Sequence, residues 1–411
     1  MTSFLILENA RLINPGSRSI LEGVSIAIEG DTVREVNDRP MPSGIANRID
    51  LRGRSVLPGL IDAHCHVIVS DASLRNLAPM PLTLVAARAG GVMRGMLDRG
   101  FTSIRDTGGA EWGLKQAVEE GSMVGPRLFI SGRPLSQTGG HGDQRHRTET
   151  TLACACSGLG LMTLIADGAD SVRAAAREEL RQGVDQIKIM VSGGVISPYD
   201  PLESVQYSAE EVSAIVQEAR RWGRSVTAHA YTADSIRHAV AQGVRGIEHG
   251  NLIDTDAAHR LAAAGGYMVP TLVAYESLHI NGAAMGLTDA QQGKARAVRD
   301  QGLHSVEIAA AAGVQLGFGS DLLGNQHYLQ SLEFSIRSQV QSPWDVLASA
   351  TSVNAEILNM SGRLGVIAPG AYADLIVVEG DPLKDLGLLQ EQGRHLAAIM
   401  KGGRFHKSLL T

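Results

Sequence analysis

Eight times between Pro58 and Gly319 a short apolar run alternates with a longer segment of helical periodicity, and no other feature narrows the fold so far. An opening strand lies within residues 55–69. A helix over Leu82–Arg99 leads to a second strand, Thr102–Asp106, and a helix near Glu111–Glu120 to a third, Arg127–Ser131. After a long loop from Gly132 to about Gly168, helix Ser171–Gln182 precedes strand Gln186–Val191. Helix Ser208–Trp222 precedes strand Ser225–Ala230, and helix Ala233–Gln242 precedes strand Gly246–His249. Helix Thr255–Ala264 leads to strand Tyr267–Leu272, and a helical region over Asp289–Ala312 leads to the eighth strand, Gln315–Gly319. Eight such units predict the α/β class, with a parallel sheet closed by helices into a (β/α)8 TIM barrel.

The flanks read differently. Phe4–Leu7, Ala10–Ile13, Val24–Glu29, Val33–Val36 and Arg48–Leu51 look like short antiparallel strands, and Asp374–Val378 and Ala397–Met400 return to β character. The expected division is 1–57 and 361–411 for one small β-sandwich built from both chain ends, with 58–360 as the catalytic barrel. At 411 residues the chain exceeds what one core usually supports, and a barrel with a satellite accounts for the excess. A net charge of −6 with no long run of either sign leaves no footprint for nucleic acid or an anionic membrane. The first ten residues lack a basic leader, and no 18-residue apolar segment occurs, so a cytoplasmic protein that spans no membrane is expected. Three cysteines, Cys65, Cys154 and Cys156, imply no disulfide framework; the latter two read as small loop residues.

Chemistry in a barrel of this kind belongs at the C-terminal strand ends. There the sequence puts His64 and His66 on strand one, Lys188 on strand four, His229 on five, His249 on six and Asp321 just after eight. His64 and His66 share a strand face because alternate residues project the same way. Lys188 is flanked by Ile187, Ile189 and Met190, so burial should depress its pKa. A neutral amine beside a metal can take up CO2 as a carbamate, an anionic oxygen ligand able to bridge two cations. An ion pair with Asp185 or Asp321 is the bland alternative. Four imidazoles, a carboxylated lysine and a carboxylate suit two divalent ions, with zinc leading. A bridging hydroxide between them would attack an amide or ester carbonyl, Asp321 shuttling the proton to the leaving amine.

Pro58-Gly59-Leu60-Ile61-Asp62-Ala63-His64-Cys65-His66, together with those later ligands and Gly370–Val378, resembles the amidohydrolase superfamily over nearly the whole chain. Arg105–Gly109, Gly139-Gly140-His141-Gly142, Ser192-Gly193-Gly194, His229-Ala230-Tyr231 and Ala350–Ala355 resemble its prolidase-like dipeptidase and carboxypeptidase group, relatives of imidazolonepropionase. The resemblance implies that His64, His66 and Asp321 hold one Zn2+, that His229 and His249 hold a second, and that carboxylated Lys188 bridges them. It also implies a homo-oligomer, and a substrate with a free C-terminal carboxylate: a dipeptide or N-acyl amino acid, Xaa-Pro favoured, with Xaa-Arg or Xaa-Lys as variants.

Tyr231, two residues past His229, should face the same interior, and His141 sits in a Gly-rich loop where backbone approaches a ligand closely. Both are expected to touch the scissile carbonyl or the substrate carboxylate, with Arg145 and Arg147 as further carboxylate partners. Residues 133–168 read as a lid, and Asp62 as a strand anchor or a ligand-orienting group. The competing readings are a cyclic amide or toxin-like N-acyl amino acid as substrate, a mononuclear deaminase, and a non-catalytic scaffold.

Overall fold

The computed structural model describes residues 4–38, 47–71, 73–154, 156–197 and 199–410. The chain opens with β1 (Phe4–Asn14), β2 (Ser19–Glu29), β3 (Thr32–Asn37), β4 (Asn47–Asp50) and β5 (Ser55–Pro58). β6 (Leu60–Cys65), β7 (Phe101–Asp106) and β8 (Arg127–Ile130) form a parallel three-stranded sheet. β9 (Leu135–Ser136), β10 (Leu164–Ile165), β11 (Gln186–Met190), β12 (Ser225–Thr232), β13 (Gly246–Leu252), β14 (Tyr267–Val269) and β15 (Gln315–Leu316) form a second parallel sheet, in the order β10-β9-β11-β12-β13-β14-β15. The chain finishes with β16 (Leu375–Val378), β17 (Leu396–Lys401) and β18 (Arg404–Ser408).

Backbone hydrogen bonds tie the two parallel sheets at both borders. Asp185 N donates to Ile130 O at 2.8 Å between β11 and β8, and Ala63 N donates to Phe318 O at 2.8 Å between β6 and the segment after β15. Helices pack against the strands and against one another. Their starts are marked by side chains that satisfy free N–H groups: Ser208 and Glu211 form a capping box on helix Ala209–Arg221, and Thr288 and Gln291 do so on Asp289–Ala311.

Strands from both chain ends make one eight-stranded sheet, β18-β17-β16-β5-β1-β2-β3 with β4 beside β1. Here the expectation of wholly antiparallel pairing is corrected. The sheet is continuous and mixed, because β4 and β5 both run parallel to β1. Period-two alternation buries both faces of β16: Leu375 and Val377 join one core with Leu12, Val56 and Met400, while Ile376 and Val378 pack with Leu57, Met96 and Phe101.

Other differences have local causes. Phe4–Leu7 and Ala10–Ile13 are one strand interrupted by a bulge, where Asn9 takes φ 54°. The strand expected over Tyr267–Leu272 ends at Val269: after Pro270 the chain turns at Thr271, φ 50°, into helix Leu272–Asn281, which sequence reading missed. The loop over 132–168 contains β9, β10 and a short helix, Gly158–Leu161. Cys154 and Cys156, expected as unpaired loop residues, form a disulfide, their Cα atoms 5.1 Å apart within bridging range.

Candidate metal centre

His64 at the end of β6 and His66 just beyond it are buried, and both aim Nε2 at Asp321 Oδ1, at 3.3 and 3.1 Å. Their other ring nitrogens fix them there. His64 Nδ1 donates to Glu248 Oε2 at 2.6 Å, and His66 Nδ1 donates to the Gly108 carbonyl at 2.8 Å. Neither acceptor can donate, so a neutral ring offers its Nε2 lone pair to a cation, and a protonated ring donates from Nε2 to Asp321. Among the described residues these three side chains bring their ligand-capable atoms within 4.8 Å of one another, an arrangement suited to a cation.

The remaining imidazoles follow the same logic. His229, on β12, donates from Nε2 to Gly193 O at 3.2 Å, which leaves Nδ1 free. His249, on β13, is held at Nδ1 by Thr271 Oγ1 at 2.8 Å and Tyr275 Oη at 2.9 Å. The Tyr275 hydroxyl donates onward to Tyr231 Oη at 2.8 Å, so its oxygen accepts from His249, whose Nε2 is the open atom. The His229 and His249 rings lie edge to face, centroids 4.6 Å apart. Burial holds both well below the usual histidine pKa, and the positive neighbours add to it, so both stay neutral and ligand-competent.

Lys188, on β11, is 2% exposed, lines the same cavity and takes part in no ion pair of the described residues. Asp185, one of its alternative partners, bonds Lys115 at 2.8 Å instead. Burial pushes the Lys188 amine down to about 8, although Glu248 and Asp321 pull it up. Asp321 is held well below the carboxylate range: burial raises it, but His64 and His66 outweigh that. His249 and Asp321 take φ 74° and 48°, and non-glycine residues in this region store strain that clusters at functional sites.

Two glycines are steric requirements here. A Cβ on Gly319 would meet His64 Cβ at 2.7 Å and Val269 Cγ1 at 2.4 Å. One on Gly194 would fall 1.9 Å from His141 Nδ1. His141 accordingly stacks on His229, centroids 4.1 Å apart, and its Nδ1 lies 2.9 Å from Ser197 Oγ. Burial lowers its pKa to about 4. Tyr231 and His141 both line the cavity. Arg145 and Arg147 do not: Arg145 pairs with Asp143 at 2.6 Å and Arg147 lies over the Tyr199 ring. Asp62 is an anchor, accepting from His64 N at 3.0 Å, Ser320 Oγ at 2.6 Å and Gln330 Nε2 at 2.8 Å.

Sequence reading missed the support beneath the ligands. Glu248 is fully buried and accepts from His64, from Arg105 Nη2 at 2.6 Å and from Thr227 Oγ1. Arg105 also donates to Tyr267 Oη at 2.8 Å and to Ala63 O. Carboxylates behind metal-binding histidines fix ring orientation and raise ligand basicity. The signal was present as an acidic residue directly before His249 in Gly-Ile-Glu-His-Gly.

A profile of the Amidohydrolase family matches residues 55–404. The chain is 46% identical to a prolidase crystallised with N-methylphosphonate-L-proline, over 99% of this chain and 100% of that one, with a TM-score of 0.96. A Xaa-Pro dipeptidase with methionine bound in its active site is 28% identical over 99% and 100%, with a TM-score of 0.89. Ochratoxinase of Aspergillus niger is 29% identical over 97% of this chain and 86% of its own length.

Proposed function

The chain belongs to the amidohydrolase family and is a hydrolase of amide bonds, and from that premise we propose a binuclear zinc enzyme that releases the C-terminal residue of dipeptides or N-acyl amino acids, with Xaa-Pro among its substrates. The observation that carries the proposal is the convergence of His64 and His66 Nε2 on Asp321 Oδ1, with His229, His249 and a buried Lys188 around the same cavity. In this reading the two parallel sheets close as a (β/α)8 barrel over 58–360, and the mixed sheet is the satellite from 1–57 and 361–411.

The donor set fits two divalent ions. Each imidazole has one nitrogen tied to an acceptor and the other open, and Lys188 is dry enough to lose its proton and take up CO2. When bound, such a pair of ions supplies a water nucleophile at neutral pH and polarises the scissile carbonyl. The chain's own groups do the rest. Asp321 accepts a proton from the attacking water and returns it to the leaving nitrogen. Tyr231 Oη and His141 meet the carbonyl oxygen or the substrate carboxylate, and Glu248 keeps His64 in the productive tautomer.

The test is a library of Xaa-Pro, Xaa-Arg and N-acyl amino acids assayed beside metal content by mass spectrometry. Expected are two zinc ions per chain and turnover of members with a free C-terminal carboxylate. Turnover of none of them would refute the reading.

A further inference from the structure

Helix Leu272–Asn281 begins without the cap its sequence offers. Thr271 stands at the N-cap, where a threonine hydroxyl ordinarily accepts from the first turn. Here that hydroxyl makes no cap bond and lies 2.8 Å from His249 Nδ1 instead. The N–H groups it leaves still need acceptors, because the turn is buried. Ala274 N donates back to Thr271 O at 3.2 Å. The two N–H groups before it turn to another helix: Glu333, on Leu332–Arg337, accepts from Val273 N at 2.7 Å and from Leu272 N.

Glu333 is fully buried, yet it forms no ion pair among the described residues. Arg337, the cation on the same helix, spends its guanidinium on Gly317 O at 2.6 Å and Gln341 Oε1 at 2.7 Å. Glu333 Oε1 and Arg337 Nη2 are left without a hydrogen-bond partner. Burial lifts the carboxyl to about 7, against the pull of Arg337 and of the two N–H groups. A carboxylate kept from water without a salt bridge is costly to a fold. Its position accounts for it, since the positive end of a helix favours an anion. That helix start carries Thr271 and, one turn on, Tyr275, the two groups that hold His249.

Resting on the binuclear reading above, we propose that Glu333 is a positioning residue for the second metal. It takes over the capping of helix Leu272–Asn281 and so frees the Thr271 hydroxyl for His249. It also fixes the first turn, which brings Tyr275 to the same ring nitrogen. Two contacts at Nδ1 then set the plane of the ring and keep Nε2 open to the cation. Glu248 does this for His64 by direct contact, and Glu333 does it for His249 from one helix away.

Zinc-loaded enzyme titrated with a chelator, the retained ions counted per chain by native mass spectrometry, tests the assignment. Glu333→Leu should weaken one of the two zinc ions about 10–100-fold and leave the other within about twofold. Glu333→Gln keeps the shape and an acceptor oxygen, and should stay within about twofold of wild type at both ions. A Thr271→Val, Tyr275→Phe variant lacks the contacts to His249, so adding Glu333→Leu to it should change zinc retention by no more than about twofold. Loss spread equally over both ions, or the full loss repeated in the triple variant, makes Glu333 a general packing residue and overturns the proposal. Retention of both ions by Glu333→Leu overturns it as well. Should Glu333→Leu not fold, Glu333→Asp, its carboxylate withdrawn by one methylene, is measured against the same outcomes. Fewer than two zinc ions on the wild-type chain refutes instead the binuclear reading from which the role is drawn.

Discussion

Replacing Glu248 with Gln tests whether the support beneath the histidines governs the site. The substitution keeps the shape and removes one charge from a position that receives His64, Arg105 and Thr227 at once. An amide oxygen can still accept, but its NH2 must then face one of the two donors, His64 Nδ1–H or Arg105 Nη2. The fully buried guanidinium of Arg105 loses its counter-charge. Breaking a buried pair by removing one partner costs about 3–5 kcal/mol. Loss of a group that orients a metal ligand costs about 10–100-fold in metal affinity.

The pH dependence has a definite sign. Burial alone would raise the Glu248 carboxyl, but Arg105 and His64 hold it below its ordinary 4.5. Its stabilising contribution is therefore present above about 4.5 and is lost as pH falls from there towards the folded-state value. E248Q should unfold at lower temperature at pH 7 and lose less further stability than wild type on acidification. Chelator competition should show weaker zinc retention. Unchanged melting temperature together with unchanged zinc affinity would refute the assignment of Glu248 as the positioning residue for His64.

Lys188→Ala should reduce bound zinc from two ions to one or fewer per chain and lower kcat/KM at least about a hundredfold; metal analysis and initial rates check this. With its amine lowered to about 8, roughly a tenth of Lys188 is neutral at pH 7. Reconstitution of apo-enzyme with zinc should then accelerate with bicarbonate and with rising pH between about 6 and 8, as followed by regained activity. Gly194→Ala should push His141 off the His229 ring and cost about a hundredfold in kcat/KM, the penalty of an ångström-scale displacement, with the circular dichroism spectrum retained. Asp321→Asn should lower kcat about 10²–10⁴-fold, measured at saturating substrate.

Much of this site is legible from residue type and spacing. His64, His66, Lys188, His229, His249 and Asp321 each stand in or just past an apolar run, and the structure gathers all six around one cavity. The strand-helix rhythm likewise locates most elements to within a residue or two. What escaped reading depends on departures from regular backbone. Alternation assigns Glu248 and His249 to opposite faces of β13, yet His249 takes positive φ and both reach the site. At Pro270-Thr271 a turn signal stands in the sequence, since proline cannot donate to a strand ladder, but the positive φ of Thr271 and the helix that delivers Tyr275 to His249 do not follow from it. Arg145 and Arg147 failed as carboxylate partners because nearer groups, Asp143 and the Tyr199 ring, take them first.

The mixed sheet has a consequence for the order in which the molecule can be made. β5 is flanked by β1 and β16, so half of its pairing partners are encoded roughly 300 residues downstream. At a translation rate of about 5–20 residues per second, its free edge waits about 15–60 s for β16 to emerge. During that interval Val56 and Leu57, buried in the finished protein, border an open edge able to pair with another nascent chain. Completion of the carboxyl-terminal strands thus acts as the latch on folding, and a chain that stops before Leu375 keeps a sticky edge where the full-length protein has none.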